Sequence, residues 1–246
     1  MISYFLEAVR FLTILPLPHS GKKQDLARAM FFFPFVGFLI GILSLVLTQI
    51  LSLHVFIRLE TLGLVTFPIL LAGGLHVDGF ADFCDGFFAG KNKEAILQIM
   101  RDSRIGVWGA LGTALLLFWK WELLASFSGR SEALLLALTA SRWAQVVLAY
   151  FLPYAHPSGG LGEGVAKKVK IRELTGATAF LALLIFFLGA KGLICFMALL
   201  PFLAGIGFLF WKRLGGVTGD LLGAASEMTE VFVFFILFLI RSSHYQ

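Results

Sequence analysis

Three carboxylates, Asp78, Asp82 and Asp85, stand in the run Gly73–Gly109, GGLHVDGFADFCDGFFAGKNKEAILQIMRDSRIGVWG, directly after the apolar segment Leu62–Ala72. Their spacing of i, i+4 and i+7 puts all three on one face of a helix. Like charges at that spacing repel and raise one another's pKa values unless a cation sits among them. An oxygen-only donor set favours Mg²⁺, Ca²⁺ or Mn²⁺ over zinc. A second acidic set, Asp220, Glu227 and Glu230, lies in GGVTGDLLGAASEMTE, with Asp220 and Glu227 two turns apart on one helix face. Carboxylates converging from two distant segments would suit a two-metal site, with ions about 3.5–4 Å apart. Basic residues accompany them. Arg101, Asp102, Ser103 and Arg104 precede Gly106, and the run Lys167–Arg172 follows a glycine-rich loop, Ser158–Gly164. Arginine forks match phosphate oxygens. Acids, metal and arginines together describe a site for a diphosphate-containing substrate. Its chemistry would be phosphoryl or phosphodiester transfer, where positioning and charge neutralisation do most of the catalysis.

The elements that must position these residues are membrane helices. The chain has 246 residues, of which 59% are hydrophobic and 14% charged, and its mean hydropathy is +0.89. A water-facing surface needs more charge, since soluble domains carry roughly 25% charged residues. The runs Met30–Leu53, Gly106–Lys120, Glu132–Phe151 and Val231–Ile240 cannot all be soluble core. The formal net charge of +5 comes from short loops and is not a nucleic-acid signal. Cys84 and Cys195 have no metal-type spacing and read as small buried apolar residues. No signal peptide is expected, because Glu7 and Arg10 interrupt the first apolar run.

The expected fold is all-α, a polytopic integral membrane helical bundle forming one transmembrane domain over residues 1–246. It has about seven transmembrane helices plus an N-terminal interfacial or re-entrant helix over residues 1–20, stopped by Pro16 and Pro18. Spans are predicted near 30–53, 62–80, 106–125, 132–152, 174–190, 192–211 and 217–240, with Ala190–Gly192 either a tight hairpin or a break within one segment. One set of loops carries Lys22, Lys23, Arg28, Lys91, Lys93, Arg101, Arg104, Lys167, Lys168, Lys170, Arg172, Lys212 and Arg213, thirteen in all, against four on the other side, Arg58, Arg130, Lys191 and Arg241. That imbalance orients the richer side, and both acidic sets with it, to the cytoplasm.

GGLHVDGFADFCDG, IMRDSRIGVWG and GGVTGDLLGAASE resemble the motifs of the cobalamin synthase family, the adenosylcobinamide-GDP ribazoletransferases. The likeness continues in RFLTILPLP, FFFPFVGFLIG, SRW at Ser141–Trp143 and LPYAHPSGGLGEG, so it covers essentially the whole chain. The resemblance implies a Mg²⁺-dependent enzyme of a prokaryotic cytoplasmic membrane. It would join adenosylcobinamide-GDP to α-ribazole or its 5′-phosphate, release GMP and form adenosylcobalamin or its 5′-phosphate. A ribazole hydroxyl would attack the phosphorus nearer cobinamide. Carried onto this sequence, the resemblance makes Asp78, Asp82, Asp85, Asp220 and Glu227 metal ligands, with Asp82, Asp78 and Asp85 the catalytic group. Arg101, Asp102, Ser103 and Arg104 become the substrate-contacting motif. Val77 stands where many relatives have Glu, and His156 where Arg is usual. The partners implied are the two substrates and the lipid bilayer, with no nucleic acid, and a homo-oligomer is left open.

Plainer readings stand beside these. Arg142 lies deep in a span, where a charge needs a partner; an internal ion pair and a substrate contact are equally open. His76 falls opposite the Asp face and reads as a satisfied helix histidine, and Gly73–Gly74 as a bend or packing site. Asp220 and Glu227 could be structural. Two other functions compete. A CDP-alcohol phosphotransferase is disfavoured because Asp78-Gly79-Phe80-Ala81 is followed by Asp82 where that family has Arg. An ion-coupled transporter is disfavoured because the acids cluster at one surface and no inverted repeat is visible.

Overall fold

A computed structural model describes residues 1–17, 25–127, 129–155 and 169–242. Among the described residues there is no strand, and the only bridge is a short parallel pairing of Tyr154 with Val217. Helix α1 (Ile2–Leu12) buries Glu7, Ala8, Val9 and Leu12. At 1.5 Å per residue it is too short to cross a hydrocarbon core of about 30 Å. The segment after it is tied down by Ile14 N–H donating to Leu71 O at 2.8 Å. Helix α2 (Leu26–Ala29) starts at Asp25, whose side chain accepts from Arg28 N, and passes through a 3₁₀ turn into α3 (Phe33–Ile50) with Pro34 in its first turn.

Helix α4 (Ile57–Leu71) ends where Gly73 and Gly74 both take positive φ, +62° and +74°, a region open mainly to glycine. Helix α5 (Leu75–Ala89) leaves at 90° to α4. The straight span expected near 62–80 is therefore broken, and the acidic residues lie on a helix of new direction. Helices α6 (Lys93–Ile99), α7 (Val107–Ala125) and α8 (Arg130–Phe151) follow. Helix α9 (Ile171–Leu214) contains a reversal at Gly189, φ 61° and ψ −139°. A Cβ on Gly192 would lie 3.0 Å from Ile185 O, a closeness that seven residues of straight helix forbid, so α9 is two antiparallel arms. Helix α10 (Gly219–Ser242) closes the bundle.

By length and apolarity five segments can cross a membrane, α2–α3 counting as one, and six when the bent α4–α5 pair is included. Helix α8 is the central element. Its Ala133, Ala137, Ala140, Ser141 and Ala144 are buried, and α3 answers with Gly37, where an added Cβ would run into the backbone of Leu138. Small-on-small contact is how membrane helices approach closely without a hydrophobic driving force. On the far side, Phe202 of α9 stacks on Phe232 of α10 at 3.9 Å.

The basic loops share one end of this bundle. Arg213 donates to Gly90 O at 3.0 Å, capping α5, Arg172 meets Met1, and Arg28 donates to Tyr4 Oη at 2.9 Å. At the other end Arg130 pairs with Glu60 at 3.0 Å and Arg241 donates to Ser126 O. Of the thirteen basic residues assigned to the richer side, Lys22, Lys23, Lys167 and Lys168 lie outside the described residues, as do His19, His156, His244 and the glycine-rich loop Ser158–Gly164.

Candidate functional site

Helices α5 and α10 touch at Gly79 and Asp220, where a Cβ on the glycine would lie 2.7 Å from Asp220 O. That contact needs glycine, and it places Asp220 beside the acidic face of α5. Asp82 feels the charges of Asp220, Asp78 and Asp85, and Asp220 that of Asp78. Asp78 is exposed and Asp82 and Asp220 are half-buried. No lysine or arginine among the described residues comes within 4 Å of these three in an ion pair. Nor do any three acid, histidine or cysteine side chains among the described residues stand close enough to enclose one ion unaided.

Asp85 is placed differently. It is buried, and its carboxylate accepts from Gly106 N–H at 2.7 Å and Gly109 N–H at 2.8 Å. These belong to the first turn of α7, whose own N-cap residue has no side chain. Asp85 supplies the missing cap from a neighbouring helix and meets the positive end of the α7 dipole. The same contact accounts for glycine in IGVWG, since a Cβ at either position would run into the carboxylate. Both oxygens of an expected ligand are thereby engaged.

Glu227 departs further from expectation. Glu227 Oε2 lies 2.5 Å from Lys120 Nζ, and Glu230 Oε2 lies 2.6 Å from the same ammonium. Arg142 Nη1 is 3.1 Å from Glu230 Oε1 and also donates to Ser141 and Ser226. All four charged side chains are almost fully buried. Two acids and two bases cancel, as charges inside a membrane protein must. Glu227, expected among the metal ligands, is held by Lys120, and of the two readings open for Arg142, substrate contact and internal ion pair, the structure has the ion pair, with Glu230. Lys120 was missed because it closes an apolar run; an intramembrane lysine was itself the signal for a buried acid.

In the loop before α7, Arg104 grips Asp102 through two nitrogens, Nη2–Oδ2 2.6 Å and Nε–Oδ1 3.0 Å. These hydrogen bonds, helped by Arg104 N–H, hold the Asp102 carboxyl down at about 2. The pair is exposed, and Arg101 and Ser103 are exposed beside it.

Two cavities meet at Asp78. An open groove of about 650 Å³ is walled by Thr13, Ile14, the Gly73–Gly74 bend, Ile105 and Thr113. A narrower cavity of about 190 Å³ lies between α3, α5, α8 and α10 and reaches Met30, Phe33, Gln145 and Asp220. Ile105 carries the groove to the edge of the Arg101–Arg104 loop. His76 also lines the narrow cavity, and its Nδ1 has no hydrogen-bond partner, so it is not the satisfied histidine the sequence suggested.

Residues 4–238 match the family described as CobS, cobalamin-5-phosphate synthase. The chain belongs to that family. It is 36% identical over 233 residues to an adenosylcobinamide-GDP ribazoletransferase of Chlorobium phaeobacteroides, covering 92% of this chain and 93% of the relative. It is likewise 36% identical over 250 residues to one from Desulforamulus reducens, 97% of each, and 35% identical over 239 residues to one from Acetivibrio thermocellus, 95% and 96%. No solved structure matches the chain.

Proposed function

We propose that this family member is a membrane transferase that joins adenosylcobinamide-GDP to α-ribazole or α-ribazole 5′-phosphate with release of GMP. The observation that carries the reading is the end-to-end likeness to relatives bearing that activity's name, because carboxylates at a membrane surface alone would suit many phosphotransferases. In the reaction a ribazole hydroxyl oxygen forms a bond to the phosphorus nearer cobinamide. The bond from that phosphorus to the bridging oxygen breaks, the oxygen leaves with GMP, and the hydroxyl proton passes to solvent.

Asp78, Asp82 and Asp220 are the residues that would hold Mg²⁺. Their all-oxygen chemistry fits that ion, which typically takes one or two carboxylates, several waters and substrate phosphate oxygens. This is consistent with three acids that gather without closing on a point. When bound, the metal supplies charge neutralisation for the diphosphate. The protein's own contribution is positioning. The α5–α10 contact at Gly79 fixes the acids, Asp85 fixes the start of α7, and Asp102 aims the Arg104 guanidinium, whose free edge suits a phosphate.

The reading includes seven crossings, counting the two arms of α9 and the bent α4–α5 pair, with the acidic site at the cytoplasmic face. Nine described basic residues support that orientation (thirteen less the four outside the described residues), against four at the opposite end. The test is GMP release by the purified protein from adenosylcobinamide-GDP plus α-ribazole. Release is expected with Mg²⁺ and its loss on chelation; no GMP under any metal condition would reject the activity.

A further inference from the structure

The narrow cavity and the open groove differ in what they can accept. At about 190 Å³ the cavity falls below the roughly 300–1,000 Å³ that holds a whole drug-sized ligand. It is too small for a corrin ring and suits the smaller of the two substrates. The groove, at about 650 Å³, lies within that range and is open. The cavity's walls include Leu26, Met30, Phe33 and Leu222, apolar and aromatic surfaces that suit the faces of an aromatic ring.

Its polar equipment is more telling. Gln145 of α8 is buried, 3% exposed, and its Nε2 donates to Leu222 O at 3.4 Å. That bond fixes the amide orientation, because a flip would set oxygen against oxygen. Gln145 Oε1 is then the atom left over, buried and without a partner. Buried acceptors are nearly always satisfied, and one that is not calls for a donor. Resting on the activity proposed above, we infer that the narrow cavity seats α-ribazole, that Gln145 Oε1 accepts from a hydroxyl of its ribose, and that the open groove takes the corrinoid. Asp78 lines both spaces, so the attacking hydroxyl and the diphosphate would meet there.

The test measures GMP release with each substrate varied in turn. Gln145→Leu removes the acceptor at similar volume; it is expected to raise KM for α-ribazole about tenfold, the size of one hydrogen bond, and to leave KM for adenosylcobinamide-GDP within twofold. Met30→Trp, which fills the cavity, should do the same more strongly, whereas Ile14→Trp in the groove should raise KM for adenosylcobinamide-GDP alone. Thermal unfolding in detergent confirms that each variant is folded, and with three variants one that fails to fold leaves the others to decide. Should Gln145→Leu or Met30→Trp weaken the cobinamide substrate instead, or neither substrate, the assignment of the cavities is wrong while the activity stands. A wild-type protein that releases no GMP from this pair removes the activity and the assignment together.

Discussion

Two groups of carboxylates, one on α5 and the start of α10 and the other further along α10, meet opposite fates. Glu227 and Glu230 sit deeper along α10 and are each bound to a cation, Lys120 or Arg142. Asp78 and Asp220 sit in the first turns of their helices and line the cavities, and Asp82 lies one turn further along α5 with both as charged neighbours. In a low-dielectric interior an uncompensated charge is intolerable, so the deep acids carry built-in counterions. At the mouth, water screens the repulsion, and the acids can be left short of positive charge until a cation and substrate arrive. The same residue types thus do structural work at one depth and are available for chemistry at another, two to three turns of helix away.

The comparison can be broken most directly by neutralising one acid of the mouth. Asp82→Asn should lower the rate of GMP release by at least about 10²-fold, the scale of removing an electrostatic catalytic group, while leaving thermal unfolding nearly unchanged; turnover near that of the parent would take Asp82 out of the mechanism. The converse holds for the deep cluster. Lys120→Met strands the buried carboxylate of Glu227 and leaves Glu230 with Arg142 alone, and should destabilise the fold by about 3–5 kcal/mol, seen as a large fall in unfolding midpoint. Replacing Glu227 with Gln in the same protein should recover much of that loss, because Glu230 still pairs with Arg142. A Lys120→Met protein of normal stability and no activity would instead place the cluster in the reaction.

Asp85 lies between the two groups and sharpens the boundary. As a cap, Asp85→Asn should cost about 1 kcal/mol of stability and reduce turnover only modestly. Loss of turnover at unchanged stability would move it among the metal ligands. The smallest effect is expected at Asp102. Its pKa is depressed to about 2 by Arg104, so the pairing is fully present above about pH 4 and is lost as pH falls through 2. Asp102→Asn should raise KM for adenosylcobinamide-GDP by a few-fold and leave the pH–rate profile between 5 and 9 unaltered.

Much of this was legible in the residues. Hydropathy announced membrane helices, and the i, i+4, i+7 spacing did put Asp78, Asp82 and Asp85 on one helix. The glycine pair at 73–74 signalled a bend, though not its 90° angle, which follows from two successive positive φ values. Periodicity also could not show that Asp85 points at the first turn of α7, because a cap donated by another helix leaves no pattern within its own segment. Arg142 and Glu227 were recognisable as charges needing partners, but pairing residues 107 positions apart, as Lys120 and Glu227 are, requires the fold.

By itself the sequence determined that this is a helical membrane protein and which residue types could bind a metal and a diphosphate, because composition and local spacing are properties of the chain. Only tertiary structure decided which acids are taken by lysine, arginine or a helix terminus and which stand open to a cavity. That division depends on distances between α5, α7, α8 and α10, and no local pattern encodes how far apart separate helices come to rest.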